Sequence, residues 1–551
     1  MITRMELDVN RTAPLPRRSA WKSESQHDFQ TRFDGVHAAP RRGAVRAPGR
    51  ITVGNRCGIT GLCALLSILS LQDALCAEAS SPKVPLFQTV DLNKGESTEV
   101  NLPEGSRLRI KLVNVQEVRD TLRSAVREAR AVVEVNGRRT NLFSGNYHLP
   151  VTLGEVQVDC PVTQGYYRNH DSFEDSWGMV KDARVRLWPA RSSWFEAGKF
   201  VYPAKQRWFA SATQIGNEPS YVDGGDRPPG RSIYYHSGND IGGCEGLTEV
   251  VAACDGLVVS AAGKALPDHA DAPFYKPRGD YDYVYVLDAH GWYYRYAHLQ
   301  SIEPTVQPGK LIKAGEKIGV LGKEGSSGGW AHLHFDIKAK QPSGQWGIQD
   351  AYPFLWEAYQ RERHPDLMAV ARPHHLAEVG ERVVLDGSGS WSRNGKIAGY
   401  QWTLSDGTST RGARVERRYD KPGTYSEVLK VSGDQGRADY DFAIVQVLAR
   451  GSNVPPTIHA AYAPTFGIRA GDPVTFKVRT FRTTEGKEVW DFGDGSSQVE
   501  VRSDGNAQEH AKDGYAVTQH RYAKPGDYIA RVERSNERSE KAVAHLLVHV
   551  E

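Results

Sequence analysis

The sequence predicts a mainly β protein built from several domains, and three observations support that prediction. Its 551 residues exceed what a single domain usually contains. They include 54 Gly and 29 Pro but only 4 Met, a balance that favours turns and strands over helical bundles. Short apolar or alternating runs separated by Gly recur along the chain. With 39% hydrophobic and 25% charged residues, the composition excludes a multi-span membrane protein and a wholly disordered one.

Residues 1–79 are predicted to be a leader for export. Residues 58–71 form an uncharged apolar run, which is too short for a transmembrane helix of about 20 residues but typical of the apolar core of a signal peptide. Ala77 and Ala79 fit a small-x-small cleavage site, so the mature chain would begin near Ser80. We therefore expect an exported protein, in the periplasm, the cell envelope or the extracellular space, with no transmembrane span in its mature part.

The basic charge of the chain belongs to the same leader. Residues 1–50 contain ten Lys or Arg against five Asp or Glu, a net of +5, and residues 51–79 carry a net of −1. Because the whole chain carries +3, about −1 is left for residues 80–551. This mature part contains no stripe of basic and aromatic residues, so we expect no nucleic-acid partner.

Three cysteines follow the leader: Cys160, Cys244 and Cys254. They allow at most one internal disulfide, and Cys244 with Cys254 is the nearer pair. No Cys-x-x-Cys pair is present, which argues against a zinc site made of thiolates.

Residues 80–220 are predicted to form a β-rich N-terminal domain, to which the sequence assigns no role. The alternating runs 107–113 and 131–135 are typical of strands. Apolar residues between and beside these runs recur at roughly helical spacing, which predicts one helix there. They are Val115, Val118, Leu122 and Ala129.

Residues 221–360 are predicted to form an antiparallel sheet or sandwich, because short strands alternate with Gly-containing turns. The predicted strands are 250–253, 256–261, 283–288, 293–297, 317–321 and 332–337.

Three histidine signatures in this segment carry the candidate chemistry. His236 and Asp240 lie in a glycine-containing loop that leads into a strand, and His298 ends a Tyr-rich strand. Because residues i and i+2 of a strand point to one face, His332 and His334 project together. Two or three imidazoles and one carboxylate can supply the three protein ligands of a catalytic zinc and leave a position for water. With 18 His in the chain, such spacings also occur by chance, so spacing alone leaves the metal site undecided.

Residues 236–337 resemble the lysostaphin/LytM-type zinc metallopeptidases of bacterial cell walls, a family with the duplicated hybrid motif fold. The resemblance rests on six motifs that occur in the family's order. They are His236-Ser-Gly-Asn-Asp240-Ile241, Ala253-Cys-Asp-Gly256-Leu-Val258, Tyr296-Ala-His298-Leu299, Ile312-Lys-Ala-Gly315-Glu-Lys-Ile318-Gly319, the loop from Gly325 to Gly329, and His332-Leu-His334-Phe335-Asp336.

This resemblance implies an antiparallel β-sheet metallopeptidase domain with one Zn²⁺ ion bound by His236, Asp240 and His334. It further implies that His298 and His332 are catalytic residues outside the ligand set and that the substrate is the peptides of peptidoglycan. None of the expected ligands is missing, in contrast to the inactive members of the family.

The chain departs from the family pattern in two places beside the expected groove. Trp330 and Ala331 replace the usual Gly-Pro before the last motif, and residues 265–278 form an extra loop. These departures concern substrate preference rather than metal binding.

Two further features leave alternatives open. Asp336 is either an acid that orients a ligand or a surface acid. A group of aromatic residues either lines a substrate groove or, as we favour, packs in the core. They are Tyr283, Tyr285, Trp292 and Tyr294.

Residues 370–449 and 456–551 repeat one another. The run from Trp402 to Gly407 corresponds to the run from Trp490 to Gly495. Further along, the run from Tyr419 to Tyr425 corresponds to the run from Tyr522 to Tyr528. Asp406 lies 19 residues before Tyr425, whereas Asp494 lies 34 residues before Tyr528, which predicts an insertion of about 15 residues in the second repeat. Both repeats resemble PKD domains, which are Ig-like β-sandwiches that act as spacers or as adhesion and glycan-binding modules. Wall glycans are therefore a candidate partner.

Together these features predict an exported zinc metalloendopeptidase that hydrolyses peptide bonds of cell-wall peptidoglycan. Two alternatives stay open: a non-catalytic wall-binding regulator or activator of another hydrolase, and a surface adhesion protein whose function lies in the C-terminal modules.

Overall fold

The computed structural model describes residues 82–122, 124–167, 176–221, 233–269, 282–434 and 436–551, and the predicted leader lies outside them. Antiparallel sheets dominate, so the prediction of a mainly β fold is confirmed. Two α-helices are described, α1 (Gln164–Tyr167) and α2 (Tyr352–Arg363), with one 3₁₀ turn at Pro267–His269. The cysteines at 160, 244 and 254 are free and buried, so Cys244 and Cys254 form no disulfide.

The N-terminal segment forms two four-stranded antiparallel sheets that share one apolar core. Its strands are β1 (Gln88–Leu92), β2 (Ser97–Asn101), β3 (Arg107–Arg119), β4 (Val126–Val135), β5 (Arg138–Phe143), β6 (Val151–Leu153), β7 (Val156–Thr163) and β8 (Ala183–Pro189). The strand orders are β1-β8-β7-β6 and β2-β3-β4-β5.

The helix predicted around Val115 and Val118 is wrong. Both residues lie on β3, Ala129 lies on β4, and the two strands pair directly with each other. The register of this pair shifts between Leu112 and Asn114. A shift of this kind adds a residue to one strand, so it interrupts the period of two and mimics helical spacing.

The middle segment forms a nine-stranded sheet, a three-stranded sheet and one short strand pair. Its strands are β9 (Thr213–Ile215), β10 (Pro219–Tyr221), β11 (Ile233–Tyr235), β12 (Asn239–Gly242), β13 (Glu249–Val251), β14 (Gly256–Ala261), β15 (Lys264–Ala265), β16 (Val284–Leu287), β17 (Tyr293–Ala297), β18 (Leu299–Ile302), β19 (Leu311–Ile312), β20 (Lys317–Leu321), β21 (His332–Lys340) and β22 (Trp346–Ile348).

Seven strands of the large sheet pair side by side in the order β15-β14-β16-β17-β21-β12-β9. Its edge strand β9 comes from the segment predicted as N-terminal domain and pairs with β12. Helix α2 starts with Pro353 in its first turn, where the missing N–H costs no hydrogen bond. It buries Phe354 and Trp356 in the same core as Phe335 of β21. The sheet strands that carry the predicted histidines are therefore held on a large apolar core.

The C-terminal repeats are two β modules joined through one continuous sheet. Their strands are β23 (Leu367–Met368), β24 (His375–Glu378), β25 (Val383–Asp386), β26 (Trp391–Ser392), β27 (Gly399–Thr403), β28 (Ser409–Arg411), β29 (Arg414–Arg417), β30 (Gly423–Ser432), β31 (Ala438–Leu448), β32 (Thr457–Ala463), β33 (Val474–Phe481), β34 (Glu488–Asp491), β35 (Val499–Val501), β36 (Ala516–His520), β37 (Gly526–Ser535) and β38 (Lys541–Val550). Trp402 and Trp490 are fully buried in the separate cores of the two repeats. A parallel contact of β30 with β38 joins the modules.

The structure locates the difference in length between the repeats. Strands β28 and β29 of the first repeat are separated by Gly412 and Ala413 alone, whereas β35 and β36 of the second are separated by residues 502–515. We call residues 502–515 the insert.

Candidate metal centre and active site

Strand pairing assembles the predicted metal ligands. Strands β12 and β21 run antiparallel with Asp240 directly opposite His334 and Gly242 opposite His332. His236 lies in the turn between β11 and β12, four residues before Asp240. We call His236, Asp240 and His334 the ligand cluster.

The donor atoms of the ligand cluster converge on one point. Oδ1 of Asp240 lies 3.0 Å from Nε2 of His236 and 2.8 Å from Nδ1 of His334. The two imidazole nitrogens are 3.3 Å apart. Four-coordinate Zn²⁺, with bonds of about 2.0–2.2 Å, places neighbouring ligand atoms roughly 3.3 Å apart, so this donor set fits the ion.

The electrostatics of the cluster favour a cation. Burial alone would raise the pKa of Asp240, but the neighbouring histidines, His236 first, hold that pKa well below its usual range. Burial alone would lower the pKa of His334, but Asp240 and Asp336 outweigh burial and raise that pKa. A buried site that stabilises a carboxylate and attracts a proton to an adjoining imidazole also stabilises a metal ion.

Asp336 orients a member of the cluster and is not a surface acid. It is 2% exposed, and its Oδ2 accepts a hydrogen bond from Nε2 of His334 at 2.9 Å. Burial alone would raise the pKa of Asp336, but positive neighbours led by Lys338 lower it to about 2, so the group is ionised at neutral pH. A proton on Nε2 leaves Nδ1 of neutral His334 as the nitrogen that faces the cluster.

The glycine between the first two ligands has a steric reason. A Cβ at Gly238 would lie 3.0 Å from Cε1 and 3.1 Å from Nε2 of His334. Any side chain at position 238 would therefore press on the ligand ring, which explains why the motif has Gly there.

The other two predicted site residues lie beside the ligand cluster, and we call them the histidine pair. The rings of His298 and His332 are 4.6 Å apart between centroids, and Nε2 of His332 lies 3.4 Å from Oδ2 of Asp240. His298 follows β17 with φ of 65°, a left-handed conformation that turns the chain out of the strand. All five predicted site residues are thus in one place.

Main-chain carbonyls determine which nitrogen of each pair member carries the proton. Nδ1 of His332 lies 3.0 Å from the carbonyl oxygen of Trp330, and Nδ1 of His298 lies 2.6 Å from that of Glu324. Because a carbonyl oxygen can only accept, Nδ1 is the protonated nitrogen in both rings. Nε2 is then the nitrogen with a free lone pair in the neutral form.

The charge state of His332 agrees with this arrangement. Burial lowers the pKa of His332 well below its usual value, and the neighbouring histidines reinforce the effect against the pull of Asp240. The ring is therefore neutral at neutral pH. Asp282 lies beside the other pair member, with Oδ2 3.4 Å from Nδ1 of His298.

The four aromatic residues Tyr283, Tyr285, Trp292 and Tyr294 pack in the core, which is the alternative that we favoured from the sequence. Each of its members is at most 8% exposed. Trp292 and Tyr294 pack in the main core, and Tyr283 and Tyr285 in a smaller cluster on the same sheet.

Sequence reasoning missed several residues that hold the site. Asp282 and the carbonyl of Glu324 contact His298 but belong to none of the motifs. Trp330, noted as a departure from the family pattern, stacks on His332 with centroids 4.0 Å apart.

Known proteins match this chain in three regions. Residues 234–345 match Peptidase family M23, and residues 365–447 and 459–548 match PKD domains. None of the helices in the described part of the chain is long and apolar enough to span a bilayer.

Similar solved structures cover parts of the chain. The structure of lytM from Ruminococcus gnavus is 24% identical over 29% of this chain and 61% of its own length, with a TM-score of 0.20. Csd3 from Helicobacter pylori is 15% identical over 45% of this chain and 82% of its own, with a TM-score of 0.15. The fibronectin(III)-like modules of CbhA from Clostridium thermocellum are 12% identical over 34% of this chain and 94% of their own length, with a TM-score of 0.14. On the family matches, the chain carries a Peptidase family M23 domain at residues 234–345, followed by two PKD domains.

Proposed function

We propose that this protein is an exported zinc endopeptidase that hydrolyses peptide bonds in bacterial peptidoglycan. The observation that carries the proposal is the convergence of the ligand cluster with a neutral, buried His332 3.4 Å from the carboxylate of Asp240. Such an arrangement combines a three-ligand metal site with a proton acceptor beside it.

The ligand cluster is the proposed zinc site. His236 would bind through Nε2, His334 through Nδ1 and Asp240 through Oδ1, the atoms that lie 2.8–3.3 Å from one another. When bound there, Zn²⁺ would lower the pKa of a water molecule toward neutrality and polarise the scissile carbonyl. Asp336 would hold the ring of His334 in its binding orientation.

The histidine pair is the proposed proton-transfer and charge-stabilising element. Nε2 of neutral His332 accepts the proton of the attacking water as its oxygen adds to the carbonyl carbon. The C–N bond then breaks and the proton passes to the leaving amine. Once its Nε2 also carries a proton, His298 stabilises the negative charge on the carbonyl oxygen or protonates the amine, depending on the orientation of the peptide.

An enzyme is favoured over the regulator alternative because all five site residues are present, buried and close together. A protein that only bound walls would have no need for a neutral histidine beside a complete ligand set. The family match supports a peptidase, and the wall substrate, the export and glycan binding by the PKD domains are proposed from the resemblance of the motifs and the leader.

The deciding experiment is digestion of purified peptidoglycan by the zinc-loaded full chain, followed by mass spectrometry of the released muropeptides. We expect new peptide amino and carboxyl ends that disappear with chelator and return with added zinc. Absence of new ends with zinc-loaded protein would contradict the proposal, and faster digestion by a second, added hydrolase would then support the regulator. Export is checked by sequencing the amino terminus of envelope-associated protein, which we expect near Ser80 rather than at Met1.

A further inference from the structure

The insert of the second PKD domain lies against the segment that precedes the last histidine motif. We call residues 323–331 the glycine loop. The hydroxyl of Tyr515, at the end of the insert, accepts a hydrogen bond from the amide of Ala331 at 2.7 Å. The carboxylate of Glu509 accepts one from the amide of Gly328 at 2.9 Å. Two amides of the loop are therefore held by side chains from a different domain.

Three more side chains of this domain donate hydrogen bonds to carbonyl oxygens of the glycine loop. They are Arg479 to Gly329 at 2.6 Å, Asn506 to Gly328 at 3.4 Å and His510 to Lys323 at 3.3 Å. With donors and acceptors on both sides, the contact specifies the path of the loop main chain rather than merely covering it.

A buried arginine gives the insert its rigidity. Arg479 of β33 is fully buried and donates to both carboxylate oxygens of Asp504, at 2.8 and 2.6 Å. It also donates to the carbonyls of Gln508 and Glu509 at 2.7 and 2.9 Å. Together with its bond to Gly329, these contacts use all five donors of the guanidinium group. The same side chain thus folds the insert and ties it to the glycine loop.

The glycine loop in turn supplies both carbonyls that orient the histidine pair. Glu324 lies near the start of the loop and Trp330 near its end, and their oxygens accept from Nδ1 of His298 and His332. Between them lie Gly328 and its neighbours, the part of the loop that the second PKD domain holds. Without the Trp330 carbonyl, either nitrogen of neutral His332 can carry the proton, whereas His298 keeps Asp282 as a second acceptor 3.4 Å from its Nδ1.

We propose that the second PKD domain is a positioning element of the active site. Its insert holds the glycine loop so that the protons of His298 and His332 stay on Nδ1 and their Nε2 atoms stay available. The corresponding connection in the first PKD domain, Gly412 and Ala413, is too short for this role. The consequence for catalysis rests on the proposed function, whereas the effect on the histidine protons does not.

The test compares wild type with a Tyr515→Phe/Glu509→Ala double variant in the zinc-loaded full chain. The substitutions remove both acceptors for the loop amides. Nitrogen-15 NMR of histidine-labelled protein, assigned with His298→Gln and His332→Gln variants, reports which ring nitrogen is protonated. We expect mixed protonation at His332, a smaller change at His298 because Asp282 still faces its Nδ1, and a kcat about tenfold lower, with KM and zinc content unchanged.

Two controls separate positioning from general destabilisation. Tyr462→Phe removes another buried hydroxyl of the same domain, one that donates to the carbonyl of Leu547 away from the loop, and should leave the NMR signals and kcat unchanged. In the Tyr515→Phe background, Glu509→Gln keeps a side-chain acceptor and should restore most of the wild-type behaviour. If the double variant does not fold, the comparison of the Glu509→Ala and Glu509→Gln single variants decides in the same way.

Unchanged nitrogen-15 shifts for His298 and His332 in a folded double variant would overturn the proposal. A change in KM alone would also overturn it, because it would assign the insert to substrate binding. If the wild-type chain does not hydrolyse peptidoglycan, the proposed function fails, yet the NMR comparison still decides whether the insert controls the histidine protons.

Discussion

The two halves of the candidate active site are oriented by different parts of the molecule. The ligand cluster is held within one sheet, by the register of β12 with β21 and by Asp336 on β21 itself. The histidine pair is held by main-chain carbonyls of the glycine loop. The glycine loop is in turn held by the insert, which belongs to a domain more than 170 residues further along the chain. Metal binding should therefore depend on the M23 domain alone, whereas proton transfer should depend also on the second PKD domain.

The largest expected effect is on the ligand cluster. His334→Ala removes a donor atom of the proposed metal site, so peptidoglycan hydrolysis should fall by about 10⁴-fold or more, since both charge stabilisation and water activation would be lost. Release of soluble muropeptides measures the rate. His549→Ala, a half-exposed histidine of β38, is the matched control and should hydrolyse at the wild-type rate. A His334→Ala protein that digests walls as fast as wild type would contradict the whole account.

The next largest effect belongs to the histidine pair. His332→Ala removes the proposed proton acceptor, which should lower kcat by about 10²–10⁴-fold while KM changes little. Steady-state kinetics on a peptide derived from the released muropeptides give both constants. A rise in KM as large as the fall in kcat would mean that His332 contacts the substrate instead. The ligand cluster and the histidine pair would then no longer differ in the way proposed.

Asp336 tests the orientation of a ligand from within its own sheet. Asp336→Asn keeps the size of the side chain but removes the negative charge that accepts from Nε2 of His334. We expect zinc affinity to fall about 10–100-fold, measured by competition with a chromophoric chelator. At saturating zinc, kcat should recover to near the wild-type value. A kcat that stays low at saturating zinc would mean that Asp336 takes part in the reaction itself rather than only orienting His334.

The smallest effect is expected from Trp330→Phe. The carbonyl that accepts from His332 belongs to the main chain, so the substitution keeps it and also keeps an aromatic ring to stack on the imidazole. We expect kcat within about threefold of wild type, since the lost part of the contact is one edge of an aromatic stack. A loss greater than tenfold would show that the indole, rather than the carbonyl, orients His332.

The family resemblance implied the ligand set, and its members could be expected to lie together because their geometry is local. His332, His334 and Asp336 alternate along one strand, and a strand places such residues on one face. Asp240 needs a single pairing across the sheet to meet them. The mainly β fold and the duplicated C-terminal modules could also be predicted, because turn composition and repeated motifs are local features of the sequence.

The rest of the site could not be predicted because it depends on contacts between distant segments. Nothing in the residues around Glu509 or Tyr515 indicates that they meet the amides of residues 328 and 331. The helix wrongly expected near Val115 shows a related limit, since a bulge in a strand changes the spacing of its apolar residues. Only the extra length of the insert hinted that the second repeat differs from a spacer.

The zinc content of purified His334→Ala and His332→Ala proteins, measured by elemental analysis beside wild type, separates the two halves of the site most directly. We expect one zinc per chain in wild type and in His332→Ala, and almost none in His334→Ala. Loss of zinc from both variants, or from neither, would contradict the division of the site into a metal-binding half and a proton-transferring half.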